Sequence, residues 1–181
     1  TSSFKEEGDI VFLLGATDLS GHPRDLAGSE FLEVIHGLVT GNPTIDLQME
    51  ARLQSCCLRL IKTGLLRSAH DCSDGGLAIA LAESAIQGQV GFRGSFDVAG
   101  RWDATLFSEK QSRIVVSFNP QSQSQVEQIC VEEQIPCVKL GTVGGTRFVI
   151  AKAVDLVVSE LANAWHNGLQ EPWNSRPKAG I

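Results

Sequence analysis

Short apolar runs alternate along the chain with longer stretches in which apolar residues recur at helical spacing. The run at 10–14 lies between Gly8 and Gly15, a pattern typical of a buried strand. Further strands are predicted at 65–69, 90–98, 114–118, 138–140 and 147–150. Helices are predicted at 30–36, 47–63, 77–87, 121–134 and 155–165. Residues 101–107 are predicted to be a loop or a short turn.

The ends of the predicted helices carry recognisable signals. Ser29 and Asp46 precede periodic apolar stretches and are predicted N-caps. Gly37 follows the first helix and predicts its end. The helix at 77–87 is apolar on most faces, and its small residues from Ala78 to Ala85 favour tight packing against a sheet or a neighbour.

The order of these elements predicts the fold class. Gly144 and Gly145 separate the last two strands and predict a hairpin, whereas earlier strands are joined through helices. Hairpins mixed with helical crossovers indicate an α+β fold, a mixed β-sheet covered by helices, and not a doubly wound dinucleotide-binding fold. Since no linker divides the chain, one domain is predicted over 1–169. Prolines and glycine over 170–181 favour a loosely ordered or docking tail.

Composition then limits the class of protein. With 181 residues, 43% of them hydrophobic and 20% charged, the chain can bury a core without disulfides or metals. The net charge of −6 and the lack of a basic run argue against nucleic acid and anionic membranes as partners. No apolar stretch reaches membrane-spanning length and the N-terminus lacks a signal-peptide layout, so we expect a cytoplasmic protein.

The cysteines favour neither a disulfide framework nor a zinc site. Five are present, an odd number, and none forms a Cys-x-x-Cys pair. Cys56 and Cys57 lie in a helical pattern and are expected in the core. Cys72 lies in a polar stretch that would give it access to solvent, although a structural role is favoured over a nucleophile because no base is evident.

One polar stretch, Ala69–Leu77, predicts a strand end, a turn and a helix start. Gly75 and Gly76 would let the backbone approach a ligand, and the new helix would offer amide groups to a phosphate. Asp71 and Asp74 add carboxylates suited to hydroxyl groups or a divalent cation. The same residues also fit an ordinary N-cap and turn. Gly-x-Gly-x-x-Gly and Gly-Lys-Ser/Thr phosphate loops are both lacking from the sequence.

A second polar cluster, Ser108–Arg113, directly precedes the apolar strand at 114–118. Functional groups at the start of a core strand are rigidly supported, which is typical of a binding site. A solvated turn with an ion pair between Glu109 and Arg113 explains the same pattern equally well. Farther upstream, Gly28-Ser29-Glu30 fits a helix start or part of a polar site, and its spacing favours the helix start.

These motifs resemble those of a known family. The resemblance rests on the segments Ser68–Ala78, Leu106–Glu109 and Gln111–Arg113. Two further segments, Gly28–Leu32 and Leu140–Gly145, support it because they occur in the same order along the chain as in the family. The chain is similar to the last synthetase domain of the phosphoribosylformylglycinamidine synthases. That resemblance implies a fold like the C-terminal domain of aminoimidazole ribonucleotide synthase. Other members of this superfamily, such as thiamine monophosphate kinase, usually carry a different form of the turn at 69–77.

The resemblance implies an ATP-dependent conversion of an amide to an amidine in de novo purine biosynthesis. The amide oxygen of formylglycinamide ribonucleotide is activated by phosphoryl transfer and displaced by ammonia, which gives formylglycinamidine ribonucleotide. A glutaminase releases the ammonia from glutamine. ATP and magnesium are therefore the implied cofactors of a carbon–nitrogen ligase.

The resemblance also implies which residues hold the nucleotide. Asp71 and Ser108 match ATP contacts of the family. Gly75 and Gly76 allow the close backbone approach beside them. These four residues are the predicted cofactor-binding set.

The remaining implied roles concern the cation and the substrate. Glu109 matches a magnesium ligand, and Gln111 matches a contact to the ribonucleotide. Catalytic residues are not carried over to this chain, because the family's catalytic histidine lies in preceding synthetase domains. His70 is therefore not assigned as a general base.

The same resemblance implies that the chain is part of a larger enzyme and inactive alone. Facing residues would come from the preceding synthetase domains. The sequence ends soon after its last helix, which resembles the small form of the enzyme that recruits a glutaminase subunit and a small adaptor subunit. Two alternatives stay open: a structural nucleotide site without turnover, and a domain that only completes an interface through the face from Ala78 to Ala85.

Overall fold

A computed structural model of the chain describes residues 1–98 and 100–168. The strands are β1 (Ile10–Leu14), β2 (Leu66–Asp71), β3 (Phe92–Gly94), β4 (Ile114–Phe118), β5 (Cys137–Val143), β6 (Arg147–Ile150) and β7 (Val154–Val157). The α-helices are α1 (Glu30–His36), α2 (Leu47–Lys62), α3 (Gly76–Gly88), α4 (Trp102–Phe107), α5 (Gln123–Glu132) and α6 (Val158–Asn167). The tail predicted at 170–181 lies outside the described residues.

Capping residues explain where the first two helices begin and end. The Ser29 hydroxyl accepts a hydrogen bond from the Leu32 amide at the start of α1. The Asp46 carboxylate accepts from two backbone amides at the start of α2. α1 ends at Gly37, whose φ of 64° is a left-handed conformation that glycine adopts without strain. The predicted caps and the predicted stop are confirmed.

The strands form one sheet in the order β2-β4-β1-β5-β3-β6-β7. Neighbouring strands are antiparallel except for β3 and β6, which are parallel. Helices α2 and α5 pack on one face of the sheet, and α3 and α6 pack on the other. The predicted α+β class, a mixed sheet covered by helices, is confirmed.

β1 lies near the middle of the sheet and contributes to both halves of the core. Val11 and Leu13 pack on the α3 side, whereas Phe12 and Leu14 pack on the α2 and α5 side. Every residue of β1 is buried, because helices cover both faces of the strand. Burial on two faces explains why the sequence of β1 is uniformly apolar and does not alternate.

The predicted hairpin between β5 and β6 is wrong. β3 lies between these strands, antiparallel to β5 and parallel to β6. Just before β3, the Gly91 amide donates to the Gly145 carbonyl over 2.7 Å, and the Gly91 carbonyl accepts from the Gly144 amide over 2.8 Å. The glycine pair therefore carries the chain past the end of β3. Turn chemistry predicted the reversal but not the inserted strand, because that pairing is non-local.

Other predicted elements also differ from the observed ones. The strand predicted at 90–98 is reduced to β3, and residues 102–107 form the short helix α4 instead of a loop. The last helix begins only at Val158, because residues 154–157 pair with β6 as β7. Trp165, predicted on the inner face of this helix, is 55% exposed.

α3 is buried on most of its surface inside one half of the core. Ala78, Ala80 and Ala85 are at most 5% exposed, so the small face packs within the domain. The suggestion that this face completes an interface with another domain is therefore wrong. Within residues 1–98 and 100–168, every helix is too short or too polar to cross a membrane.

Candidate functional site

The two polar stretches of the sequence meet at the same end of neighbouring strands. β2 ends at Asp71 and β4 begins at Ile114, and these residues are paired across the antiparallel ladder. One residue further on, the Cys72 amide donates to the Arg113 carbonyl over 3.0 Å. The turn after β2 and the segment before β4 are therefore held side by side at one edge of the sheet.

A cleft of about 510 Å³ lies between these two segments. Asp71, Asp74, Glu109 and Gln111 all contribute to its lining. At the side of the cleft, the Ser112 hydroxyl donates to the Glu50 carboxylate of α2 over 2.6 Å. The structure thus brings together four predicted polar residues that lie on two separate stretches of sequence.

Glu109 joins the starts of two helices. Its Oε1 accepts from the Gly75 amide at the start of α3 over 2.9 Å and from the Glu30 amide at the start of α1 over 2.8 Å. Both amides belong to the first turn of a helix, where N–H groups lack partners within the helix. A carboxylate there also meets the positive end of the helix dipole. The ion pair between Glu109 and Arg113, which belonged to the alternative of a solvated turn, does not form among the described residues.

Gly75 and Gly76 are required by the local backbone. Their φ values are 75° and 69°, which is the left-handed region. A Cβ at position 76 would lie 2.2 Å from the Ser108 carbonyl oxygen. The missing side chain of Gly76 thus lets the backbone lie close to the segment that carries Ser108. The predicted contact of Gly76 with a nucleotide stays a prediction.

Ser108 lies beside a different cavity from the other predicted residues. It is 2% exposed and lines a cavity of about 300 Å³ together with Lys110 and the loop after β1. The Arg113 guanidinium donates to the Ser108 carbonyl over 2.5 Å and to the Lys110 carbonyl over 3.1 Å. Arg113 therefore fixes the path of the segment that carries Ser108, Glu109 and Lys110.

Asp71 presents its carboxylate at the mouth of the cleft. The side chain is 71% exposed and accepts a hydrogen bond from the Ser73 hydroxyl. His70, the preceding residue, has both ring nitrogens engaged: Nδ1 contacts the Asp71 carbonyl over 2.8 Å and Nε2 contacts Glu83 over 2.7 Å. The imidazole is held in place by α3 and its own strand.

Cys72 faces the protein interior although it lies within the polar turn. The residue is 6% exposed, and burial raises the pKa of its thiol to about 11. A thiol with this pKa is almost entirely protonated at neutral pH and is a poor nucleophile. The suggested solvent access of Cys72 is wrong, and the favoured structural role is supported. Cys56 and Cys57 are buried as predicted.

Sequence reasoning missed two contributors to the site. The sequence predicts Glu30 at a helix start, which is correct, but the Glu30 amide also donates to Glu109. The sequence offers Arg113 as a partner for Glu109, whereas its guanidinium donates to two carbonyls of its own loop. Neither role has a local sequence signal, because the first depends on a tertiary contact and the second on the path of the loop.

The residues present fit magnesium only in part. Glu109 uses Oε1 for both amide contacts. Within the described part of the chain, its Oε2 is left for a cation. Residues 1–98 and 100–168 contain no group of three His, Cys, Asp or Glu side chains placed to hold a metal ion. Magnesium commonly takes one or two carboxylates together with phosphate oxygens and water. The donor set therefore fits a magnesium ion that arrives with a phosphate ligand.

Comparison with curated proteins finds relatives with one shared name. The chain is 39% identical over 175 residues to the phosphoribosylformylglycinamidine synthase subunit PurL of Caldanaerobacter subterraneus subsp. tengcongensis, covering 94% of this chain. It is 41% identical over 173 residues to the same subunit of Thermomicrobium roseum, covering 93% of this chain. In both cases the chain spans 23% of the relative's length.

Three solved structures from Thermotoga maritima share the fold. PurL complexed with FGAR gives a TM-score of 0.72 at 20% identity, covering 88% of this chain and 29% of that chain. PurL complexed with ATP gives a TM-score of 0.66 at 18% identity, covering 88% of this chain and 26% of that chain. PurLQS gives a TM-score of 0.67 at 19% identity, covering 88% of this chain and 27% of that chain.

The family assignment follows from a match over most of the chain. The family model of the C-terminal domain of AIR synthase related proteins matches residues 6–152. This range contains the whole sheet except β7, both polar stretches and the cleft between them. The protein therefore belongs to the family of AIR synthase related proteins, C-terminal domain.

Proposed function

We propose that this chain is a domain of a phosphoribosylformylglycinamidine synthase and supplies part of its nucleotide, magnesium and substrate site. The observation that carries the proposal is the meeting of Asp71, Glu109 and Gln111 at one cleft. The relatives named phosphoribosylformylglycinamidine synthase subunit PurL support it, as do PurL structures complexed with ATP and with FGAR.

The proposed reaction converts the amide of formylglycinamide ribonucleotide to an amidine. An amide oxygen is a poor leaving group, so ATP first transfers a phosphoryl group to it and ammonia then displaces it as phosphate. Phosphoryl transfer depends mainly on positioning and on neutralising charge. A domain that holds nucleotide and substrate thus contributes without a general base of its own. The engaged ring nitrogens of His70 agree with this.

Each proposed residue has a role that its surroundings allow. Asp71 presents an exposed carboxylate that accepts hydrogen bonds from the nucleotide. The Gln111 amide now donates to the Glu109 carbonyl. In the complex it would give up this hydrogen bond and bind the ribonucleotide as a neutral donor and acceptor. Glu109 would hold magnesium through Oε2, and a bound magnesium supplies charge that neutralises phosphate. Gly75, Gly76 and Ser108 complete the nucleotide contacts.

The proposed partners follow from the same assignment. The preceding synthetase domains of the enzyme would face the cleft, and a glutaminase subunit with a small adaptor would deliver ammonia. The structure named PurLQS supports an assembly of this kind. The compartment that we propose for this pathway is the cytoplasm.

The test measures formylglycinamidine ribonucleotide formation by the synthase that contains this domain. We expect Gln111→Ala to raise KM for formylglycinamide ribonucleotide about tenfold, because one hydrogen bond to the substrate is lost. Asp71→Asn is expected to raise KM for ATP by about 10- to 100-fold, because a charged acceptor becomes neutral. The matched control is Gln125→Ala on the exposed side of α5, which removes the same amide away from the cleft.

Two results would decide against the proposal. If Gln111→Ala and Gln125→Ala give the same KM for both substrates, Gln111 does not contact the ribonucleotide. If Asp71→Asn leaves ATP binding unchanged in a titration of the whole enzyme, Asp71 is not a nucleotide contact. Circular dichroism and thermal unfolding of each variant exclude loss of the fold as the cause.

A second candidate function is an interface domain without nucleotide contacts. It is favoured by the apolar surface of α1 and the loop after it, where Val34, Ile35 and Val39 are 73%, 61% and 79% exposed. Under this alternative, Val34→Ser with Ile35→Ser weakens assembly of the synthase, whereas Asp71→Asn and Gln111→Ala leave turnover intact. Assembly of the double variant and turnover by the Asp71→Asn and Gln111→Ala variants therefore separate the two functions.

A further inference from the structure

His70 lies on the side of the sheet that α3 covers. Its ladder partner on β4 is Val115, which packs in the half of the core under α3. The preceding Ala69 packs against the other half, because successive side chains of a strand point to opposite faces. The His70 side chain is 16% exposed, and that of Glu83 on α3 is 21% exposed. The imidazole is therefore largely enclosed between the end of β2 and α3.

Both ring nitrogens of His70 face oxygen atoms that accept hydrogen bonds. Nδ1 lies 2.8 Å from the Asp71 carbonyl oxygen, and Nε2 lies 2.7 Å from a Glu83 carboxylate oxygen. A carbonyl oxygen only accepts, so Nδ1 carries a proton and donates to it. A further proton lies between Nε2 and the Glu83 carboxylate, because two bare acceptors at this distance would repel each other. The ring is thus held at both nitrogens.

The peptide group that joins Asp71 to Cys72 is hydrogen-bonded at both ends. Its carbonyl accepts from His70 Nδ1, and its amide donates to the Arg113 carbonyl over 3.0 Å. A peptide group is planar, so two hydrogen bonds on opposite sides leave its plane little freedom to turn. The backbone therefore leaves Asp71 and enters the polar turn in one orientation.

The orientation of this peptide group sets the direction in which the Asp71 side chain leaves the backbone. The Asp71 carboxylate lines the cleft, is 71% exposed and accepts a hydrogen bond from the Ser73 hydroxyl. On a backbone free to turn, an exposed side chain samples several directions, and binding has to select one of them. Neither His70 nor Glu83 is among the described residues that line the cleft. Their effect on a ligand in the cleft therefore passes through Asp71.

We propose that His70 is a positioning residue for nucleotide binding, which acts through Asp71 and is itself oriented by Glu83. The inference rests on the proposed nucleotide contact of Asp71. His70 favours binding because the Asp71 carboxylate is already in place before the nucleotide arrives. The Glu83 contact at Nε2 keeps the imidazole turned so that the protonated Nδ1 meets the Asp71 carbonyl.

A double-mutant cycle in the synthase that contains this domain tests the proposal. His70→Ala is expected to raise KM for ATP about three- to tenfold, because a hydrogen bond that positions Asp71 is lost. When Asp71→Ala has already removed the carboxylate, His70→Ala should raise KM by less than about twofold more. In both backgrounds, His70→Ala should change kcat at saturating ATP by less than about twofold. His166→Ala, at an exposed histidine of α6, is the matched control and should leave KM unchanged.

Two substitutions of Glu83 test how the ring is held. Glu83→Ala removes the partner of Nε2 and is expected to raise KM for ATP about as much as His70→Ala. Glu83→Gln should keep KM within about twofold of the wild type, because its amide can donate to Nε2 or accept from it. Hydrogen exchange of the intact synthase should become faster over 70–75 in both alanine variants and stay unchanged in Glu83→Gln. Equal KM values for Glu83→Ala and Glu83→Gln would contradict the orienting role of Glu83.

The outcomes separate this inference from the proposed function. If Asp71→Ala leaves KM for ATP unchanged, the proposed nucleotide contact fails and this inference fails with it. If Asp71→Ala raises KM, but His70→Ala raises KM by the same factor with and without Asp71, only this inference is overturned. An unchanged KM in folded His70→Ala overturns it as well. If thermal unfolding shows that His70→Ala has lost the fold, Glu83→Ala takes its place in the cycle with the same expected factors.

Discussion

Gly76 illustrates how one residue can serve the fold beside a candidate ligand site. Its left-handed backbone starts α3, and its missing Cβ makes room for the Ser108 carbonyl. The glycine therefore holds the two walls of the candidate site together, whatever ligand binds there. Any measured effect of a substitution at this position contains a folding cost that has to be separated from a loss of binding.

Gly76→Ala is expected to destabilise the protein by about 2 to 5 kcal/mol, because left-handed strain and a clash with Ser108 add together. Gly64→Ala is the matched control, since its φ of 71° is similar and no atom lies within 4 Å of the added Cβ. We expect Gly64→Ala to cost only about 1 to 2 kcal/mol. Urea unfolding of both variants makes the comparison, and equal losses would mean that the clash is relieved by backbone movement.

Asp103 gives the clearest dependence of stability on pH. The hydrogen bond from the Arg101 guanidinium lowers the pKa of this nearly buried carboxyl below its ordinary value of 3.8. In the unfolded chain the carboxyl takes up its proton at a higher pH than in the folded protein. The stabilisation by Asp103 is therefore present above the ordinary pKa and is lost as the pH falls through the lower, folded-state pKa.

Asp103→Asn is expected to lower the free energy of unfolding at neutral pH and to lose little further stability in acid. The difference from the wild type should shrink as the pH falls below 3.8. Unfolding curves at several pH values measure this difference. Asp97→Asn on the surface is the control and should show a small difference at every pH. A difference for Asp103→Asn that grows in acid would contradict the prediction.

At the scale of elements, Glu109 links α1 to α3 through one carboxylate oxygen. Each helix brings an amide without an intrahelical partner, and the carboxylate satisfies both. The segment that carries Glu109 is in turn fixed by Arg113. Helix starts that lie far apart in the sequence are thereby held at one end of the sheet, which sets the shape of the cleft.

Glu109→Ala is expected to cost about 1 to 3 kcal/mol, because two amide hydrogen bonds lose their acceptor. Hydrogen exchange of the Gly75 and Glu30 amides should become faster in the variant. Glu33→Ala removes an exposed carboxylate from the same helix α1 and should change stability by less than about 0.5 kcal/mol. If both variants are equally stable, Glu109 does not link the two helices in solution.

At the scale of the whole molecule, the sheet divides the core into two halves that share β1. The half under α2 and α5 contains Leu60 with 0% exposure, whereas Leu58 on the same helix is 54% exposed. A substitution in this half should affect the whole domain, because β1 transmits the loss of packing to both faces.

Leu60→Ala is expected to destabilise the domain by about 2 to 5 kcal/mol, the usual cost of a cavity at a buried leucine. Leu58→Ala should stay within about 0.5 kcal/mol of the wild type. Thermal unfolding that follows both near-ultraviolet and far-ultraviolet signals measures the cost. Two separate transitions in Leu60→Ala would show that the halves of the core unfold independently.

Much of the fold could be predicted because local signals and burial agree for most elements. β1, β4 and the first helices have their predicted positions, since apolar periodicity and caps act over a few residues. The predicted hairpin at Gly144 and Gly145 is wrong because β3, from a distant part of the chain, lies between β5 and β6. α4 was missed because a helix this short has little periodicity to detect.

The sequence singled out the two stretches that meet at the candidate site but not the contacts between them. The motif positions of Asp71, Glu109 and Gln111 do meet at one cleft, and their predicted ligand contacts stay predictions. Ser108 lines a different cavity, and Glu109 holds two helix starts. These contacts depend on the register of β2 against β4, which local sequence does not determine.

The sequence by itself determined the α+β class, the polar stretches and, through the resemblance, the family to which the chain belongs. These properties depend on residue type and spacing along the chain. Only the tertiary structure decided that β3 separates β5 from β6 and that Glu109 binds two helix starts. The reason is that such contacts join residues far apart in sequence, and packing of the two core halves selects them.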